Sequence, residues 1–378
     1  MKGIIDSTLR EGEQAANVYF DLTEKLRIID LLIKVGIDEI ELGIAVQNPE
    51  TRELIKQAGK LAGCPKLALW CRCLPGDIEE TLALSPDVLA LSIPVSDIHI
   101  EHKLGQDRRW VMTKARKSIR QAKDKSHCYL SLGLEDASRA EPDFVEEISC
   151  LAVEEGVNRI RFADTLGIMD PVSMFRVVTR LRKRFDVDIG VHTHNDFGMA
   201  TANAIAALKA GADFADVTVS GLGERAGNAA LEEVVAFLIK RSKMSQYKLK
   251  YLPQIAHYVA QAARIPLSPR SPVVGEDIFT CESGIHIDGI IKNPSNYEPF
   301  DPAEVSMRRK FLIGKKTGRS ALRHKLKSLR TNTEDRVLEE LLRKVKIESS
   351  RLKTSFTDEE LLRCASTLSL KPSLFKFL

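Results

Sequence analysis

Short apolar runs recur along the first 240 residues, each followed by a polar or Gly-bearing loop and then a longer stretch with helical spacing of its apolar positions. The runs at 3–6, 37–43, 66–72, 87–93, 128–134, 157–164, 187–193 and 214–220 predict strands. Several are nearly continuous in apolar character, as parallel strands covered by helices are. The stretches at 21–35, 47–62, 109–126, 142–155, 171–185, 198–210 and 229–241 predict helices. Asp21 and the Asp170–Pro171 pair read as helix starts; Gly36, Gly156 and Gly211 read as stops. Eight strands alternating with helices predict an α/β fold, a (β/α)8 TIM barrel, with a doubly wound open sheet as the alternative.

The pattern then changes. Residues 252–264 predict one further helix, which ends the barrel domain at 1–264. Residues 265–283 are proline-rich without helical period and read as a linker. Amphipathic stretches at 317–329, 334–348 and 357–366 make 284–378 a small, mainly helical C-terminal region.

Composition narrows the function classes. Of 378 residues, 44% are hydrophobic, enough for a large core. Lys and Arg number 56 against 52 Asp and Glu, and a net charge of +4 is too balanced for a nucleic-acid binder. The charged N-terminal dozen residues argue against a signal peptide, and no apolar stretch suits a bilayer span. Seven cysteines include a CxC at Cys71 and Cys73 rather than CxxC pairs, so reduced thiols are expected. The expectation is a soluble, cytoplasmic protein with no nucleic-acid or membrane partner.

His192-Thr193-His194-Asn195-Asp196 ends the seventh run. Strand side chains alternate, so His192 and His194 face the same way and can grip one ion. Two hydrogen-bonded core histidines are the ordinary alternative, but barrels place working residues at the carboxyl ends of strands. The loop after the first strand offers Glu11 as a third ligand, giving two imidazoles and a carboxylate with open positions for substrate. Arg10 beside it supplies a cationic fork for a carboxylate or oxyanion; an ordinary solvated loop is the alternative for this pair. Glu135-Asp136-Ala137-Ser138-Arg139 and Asp164-Thr165 carry charge at two further strand ends, where helix capping is the competing explanation. The turn from Ser220 to Asn228 is Gly-rich and precedes a helix, which suits an anion or simply a tight loop; Asn228 is a candidate to face the mouth. In the C-terminal region, His286 is followed by Tyr297, although most lone histidines are structural.

Together these residues resemble a known family. Leu9-Arg10-Glu11-Gly12-x-Gln14 with Lys25, then HTHND with Gly198, is similar to the paired signatures of the α-isopropylmalate and homocitrate synthases, in order and spacing from residue 3 to about 330. Leu69-Trp70-Cys71-Arg72, the Ser92–Asp97 segment, the Glu135–Ala140 segment, Arg161-Phe162-Ala163-Asp164-Thr165-Leu166-Gly167 and GLGERAGNAALEE resemble the homocitrate synthases of nitrogenase-cofactor assembly. The resemblance implies a Claisen condensation of acetyl-CoA with a 2-oxo acid, here 2-oxoglutarate, followed by thioester hydrolysis to homocitrate and CoA. It implies that Glu11, His192 and His194 bind a divalent metal (Zn, Mn or Mg) and that Arg10 stabilises the alkoxide. Gln14 and Thr165 position substrate. His286, assisted by Glu135 and with Tyr297 nearby, takes a methyl proton from acetyl-CoA. It also implies a homodimer in which each C-terminal region serves as a lid on its partner's barrel.

The sequence departs from the lysine-pathway homocitrate synthases, which carry His where Trp70 stands and Arg-x-Ser where Ser131-Leu132-Gly133 stands. Arg72, His102 and Arg139 are the candidates left to hold the distal carboxylate. The leucine-sensing domain of many isopropylmalate synthases has no counterpart after residue 330, which predicts no leucine feedback. Three other functions compete: 2-isopropylmalate or citramalate synthase, using 2-oxoisovalerate or pyruvate; a hydroxymethylglutaryl-CoA-type lyase, against which His286 and Tyr297 argue; and a two-His, one-carboxylate iron oxygenase, which the barrel pattern disfavours. A non-catalytic metal module would need a closed ligand set, and only three ligands are visible.

Overall fold

The computed structural model describes residues 1–46 and 48–369. The chain divides into two compact units, Met1–Leu267 and Ser268–Leu378.

The first unit is a closed barrel of eight parallel strands in sequential order. The strands are β1 (Gly3–Asp6), β2 (Glu39–Ile44), β3 (Lys66–Arg72), β4 (Val88–Pro94), β5 (Tyr129–Glu135), β6 (Arg159–Asp164), β7 (Asp188–Thr193) and β8 (Phe214–Val217). The helices between and after them are α1 (Leu22–Val35), α2 (Pro49–Ala58), α3 (Pro75–Leu82), α4 (Arg108–Lys125), α5 (Pro142–Glu154), α6 (Pro171–Arg184), α7 (Ala200–Lys209), α8 (Leu231–Ser242) and α9 (Leu252–Ala262). Closure, which pairs β1 with β8, decides against the open sheet.

Local chemistry explains the boundaries. Asp21 forms a capping box with Glu24 at the start of α1, and Gly36 ends the helix with φ 95°. Asp170 accepts from the amides of Val172 and Ser173, with Pro171 in the first turn of α6. Helix α3, absent from the predicted set, spans only eight residues, too few for a clear helical period. Strand β8 stops three residues short of the predicted run, because Ser220 takes a left-handed conformation in a 3-10 turn over Val219–Gly221.

The barrel's two faces differ sharply. On β6, Ile160 and Phe162 are buried at 1% and 2% exposure, and Phe162 lines a groove with residues of α5 and α6. The alternate positions Arg159 and Arg161 point inward and meet acids from across the barrel. Arg159 is fully buried: Nη1 and Nη2 bind the two oxygens of Glu39 at 2.9 and 2.7 Å, and Nε donates to Ser131 Oγ at 3.0 Å. The rings of Tyr129 and Phe214 lie 5.2 and 4.8 Å from its guanidinium carbon. A fully paired bidentate ion pair is the form in which buried charge is tolerated.

In the second unit, residues from the predicted linker form turns and a two-residue strand, β9 (Thr280–Cys281), which pairs in parallel with β10 (Lys310–Phe311). Helix α10 (Gly284–Lys292) was not predicted; α11 (Arg319–Ser328), α12 (Asp335–Leu352) and α13 (Asp358–Ser369) match the amphipathic stretches. The last three share an apolar core built from Leu322, Leu326, Leu338, Leu341, Val345 and Leu361. Residues 370–378 of the predicted C-terminal region lie outside the described residues. All seven cysteines are free, and burial pushes the Cys71 and Cys73 thiols up to about 12. No helix among the described residues is long and apolar enough to cross a membrane.

Candidate active site at the barrel mouth

Strand β1 delivers the first ligand. After Asp6 the chain turns sharply: Thr8 N–H donates to Asp6 Oδ1 at 2.9 Å, and Thr8 Oγ1 accepts from the Val219 amide at 2.9 Å. This pins the β1 loop to the end of β8 and places Arg10 and Glu11 inside the mouth. Both are buried, and an Arg10 Nη1–Glu11 Oε2 ion pair joins them. Arg10 Nε donates to Glu41 Oε2 at 2.6 Å, and Ser7 Oγ donates to the same oxygen at 2.8 Å. Glu41 extends the β2 face that carries Glu39.

Strand β7 delivers the other two. His192 and His194 turn their Nε2 atoms toward each other, 3.3 Å apart, and each lies 3.7 Å from a different oxygen of Glu11. Glu11, His192 and His194 form a cluster whose candidate ligand atoms lie within 4.8 Å of one another. Glu11 Oε1 is buried without a hydrogen-bond partner, as a carboxylate oxygen reserved for a cation would be. Burial, then the neighbouring His192, pushes His194 down to about 3, so it stays a neutral imidazole with a lone pair to give. Burial opposes ionisation of Glu11, but Arg10 and the two histidines outweigh it and hold the carboxyl below its ordinary range. On β8, Asp216 Oδ2 accepts from His192 Nδ1 at 2.9 Å, which fixes the tautomer and leaves Nε2 free as a ligand. Two imidazoles and an ionised carboxylate fit a divalent metal.

Beside this cluster lies a cavity of about 190 Å³. Arg10, Gln14, Glu135 and Thr165 of the predicted set border it, together with the three ligands. Glu135 accepts from Lys103 Nζ at 2.5 Å, and Thr165 Oγ1 accepts from the Asp136 amide at 2.8 Å. Asn228 is buried beside the ligands, its Nδ2 3.3 Å from the Thr193 carbonyl and 3.4 Å from His192 Nε2.

None of the three candidates for the distal carboxylate borders this cavity. Arg72 leans out of the end of β3 to bind Asp77 at 2.7 Å in the first turn of α3, and its side chain is 60% exposed. Arg139 folds back onto Asp136, three residues earlier, at 2.6 to 3.0 Å. His102 sits exposed on a short π-helix, His99–Lys103. Trp70, Ser92 and Arg161, which the sequence analysis gave no site role, line the cavity with Lys103, which it did not name, while Glu41 and Asp216 brace it. The available signal was charge at inward positions of otherwise apolar strands.

In the second unit, His286 and Tyr297 are neighbours, with ring centroids 4.4 Å apart in an edge-to-face arrangement. A Cβ at Gly289 would stand 2.4 Å from Tyr297 Cε2, so only glycine lets this ring lie on α10.

Comparison with known proteins agrees with both units. Residues 2–259 match the HMGL-like family model, and residues 273–353 match the homocitrate synthase post-HMGL domain-like model. A 2-isopropylmalate synthase 2 from Caldanaerobacter subterraneus subsp. tengcongensis is 44% identical over 95% of this chain and 94% of that protein. A homocitrate synthase from Frankia alni is 42% identical over 85% of this chain and 92% of its own length. Among solved structures, an HMG-CoA lyase from Bacillus subtilis superposes with a TM-score of 0.63 at 22% identity, covering 71% of this chain and 96% of that one, which speaks for the barrel alone. With the sequence signatures, the barrel-mouth cluster and these relatives in agreement, the chain belongs to the α-isopropylmalate/homocitrate synthase family of metal-dependent, acetyl-CoA-condensing transferases.

Proposed function

We propose that the protein is a homocitrate synthase, joining acetyl-CoA to 2-oxoglutarate and hydrolysing the thioester to homocitrate and CoA. The names of its relatives divide between 2-isopropylmalate, citramalate and homocitrate synthases, so the acceptor has to be argued from the cavity. The observation that carries the reading is the composition of that cavity's wall. Among the described residues bordering it none is Val, Leu, Ile or Met; Trp70 and Ala163 are its apolar side chains, and the cations Arg10, Lys103 and Arg161 stand there with Glu11, Glu135 and Glu224. The branched tail of 2-oxoisovalerate would meet charge where it needs apolar contact, and a second carboxylate would meet cations.

In this reading Glu11, His192 and His194 would hold a divalent metal, which supplies Lewis-acid polarisation of the ketone when bound. Arg10 would stabilise the alkoxide that forms as the ketone carbon is attacked. Gln14 and Thr165 orient the acceptor. His286, with Glu135 assisting and Tyr297 beside it, takes the methyl proton, and the resulting carbanion equivalent forms the new C–C bond. Water then cleaves the thioester and releases CoA as the thiol. The finer sequence resemblance makes nitrogenase-cofactor assembly the proposed context.

The test is an acceptor panel: purified protein, acetyl-CoA and 2-oxoglutarate, 2-oxoisovalerate or pyruvate, followed by free thiol. The expected result is the highest kcat/KM for 2-oxoglutarate; a preference for either monocarboxylate contradicts the reading. The proposed exchange of C-terminal regions in a homodimer has its own test, the mixing of inactive Arg10→Ala and His286→Ala proteins. Random reassortment makes half the dimers mixed, each with one intact combination, so about a quarter of wild-type activity returns. After confirmed subunit exchange, no recovery contradicts it.

A further inference from the structure

We infer that Arg161 receives the distal carboxylate of the acceptor, through the Nε–Nη2 edge of its guanidinium. The inference rests on the dicarboxylate reading above and names the residue that enforces it. Arg161 is 4% exposed, yet it borders the cavity. Both of its carboxylate contacts fall on one nitrogen: Nη1 donates to Glu41 Oε1 at 2.9 Å and to Asp216 Oδ2 at 3.0 Å. The neighbouring strands leave room for the rest of the fork. Arg161 pairs in register with Gly133 on β5 and Gly190 on β7. A Cβ at Gly133 would lie 3.7 Å from Nε and 3.8 Å from Nη2, so this edge faces the space that glycine leaves open, and Gly133 also borders the cavity. A planar fork with one edge anchored and the other open is the arrangement that binds a carboxylate with two parallel hydrogen bonds.

The other cations at the wall are less suited. Arg10 is committed to Glu11 and Glu41. The Lys103 side chain is 54% exposed and its ammonium is held by Glu135. A solvated, already paired point charge discriminates weakly between acceptors. Position also favours Arg161: Asp216 touches both His192 and Arg161, so a single carboxylate separates the ligand cluster from the proposed subsite.

The experiment compares 2-oxoglutarate with 2-oxopentanoate, which carries a methyl group in place of the distal carboxylate. Wild type is expected to favour 2-oxoglutarate by roughly 100-fold or more in kcat/KM, since an unpaired buried polar edge penalises the wrong ligand. In Arg161→Gln this preference should collapse to within about threefold; uniform loss for both acceptors, preference intact, overturns the assignment. Gly133→Ala puts a methyl group against this edge without removing the guanidinium, its Cβ 3.3 Å from the Leu91 carbonyl oxygen, so it serves as the second variant if the Arg161 variant fails to fold. It should narrow the preference about tenfold, and an unchanged preference overturns the assignment. The two failures are distinguishable. A wild type that prefers 2-oxoisovalerate refutes the dicarboxylate reading and this inference together, whereas a wild type selective for 2-oxoglutarate with both variants equally selective refutes Arg161 alone.

Discussion

Two arginines on one strand, two residues apart, meet two glutamates on another, also two apart. Arg159 with Glu39 and Arg161 with Glu41 are successive inward positions of β6 and β2. The deeper pair is closed: every guanidinium nitrogen of Arg159 has a partner, and aromatic rings flank it. The outer pair is open: Arg161 shares one nitrogen between two acids and turns its other edge toward Gly133 and the cavity. The difference teaches that a buried ion pair is defined by what is left over after pairing. With nothing left over it seals the barrel floor; with one edge left over it becomes a binding surface. Charge partners set the ionisation states that make this work. Although burial opposes it, Arg10 and Arg161 hold the Glu41 carboxyl far below its ordinary range.

The contrast can be broken from the bottom first. Arg159→Met strands the Glu39 charge in the barrel interior, and the barrel should lose about 3–5 kcal/mol in urea unfolding. Replacing both partners, Arg159→Met with Glu39→Leu, should recover most of that loss. A single variant that unfolds within about 1 kcal/mol of wild type would contradict a sealing role.

Asp216 belongs to the open layer and acts through His192. Asp216→Asn should weaken divalent-metal binding about 10- to 100-fold, measured by titration calorimetry, because the imidazole loses its anchored tautomer. Unchanged affinity would show that His192 needs no such brace.

The smallest effect comes from an acid outside both layers. Glu232, in the first turn of α8, accepts the Ser220 amide rather than a guanidinium, and burial raises its carboxyl to about 7. The raised value means the folded barrel favours the protonated form. That contribution is full at pH below the unfolded value of 4.5 and is lost as pH rises through about 7. Relative to Glu232→Gln, wild-type stability should therefore fall by about 1 kcal/mol per pH unit between pH 5 and 7, then level off. Parallel stability curves would contradict the raised carboxyl.

Much of this was legible in the residues. Parallel strands announce themselves as apolar runs, and β3 falls at 66–72 as the pattern predicts. Glu11, His192 and His194 could be grouped because closure brings β1 and β7 to one mouth and HxH parity puts both imidazoles on one face. The charged floor was missed because runs such as Asn158-Arg159-Ile160-Arg161 read as strand from their apolar members, while the opposing Glu39 and Glu41 lie 120 residues away. Arg72 and Arg139 show the opposite case: their partners, Asp77 and Asp136, stand five and three residues off, and the local ion pairs hold both side chains away from the cavity lining.

The account's central claim is that the open edge of Arg161 is the acceptor's second anchor. The most direct measurement is an experimental structure with 2-oxoglutarate and a divalent ion bound. The account predicts the distal carboxylate within hydrogen-bond distance of Arg161 Nε and Nη2, over Gly133, with the Arg159–Glu39 pair unmoved. A distal carboxylate held by Lys103 at the rim, with the Arg161 edge untouched, would contradict it.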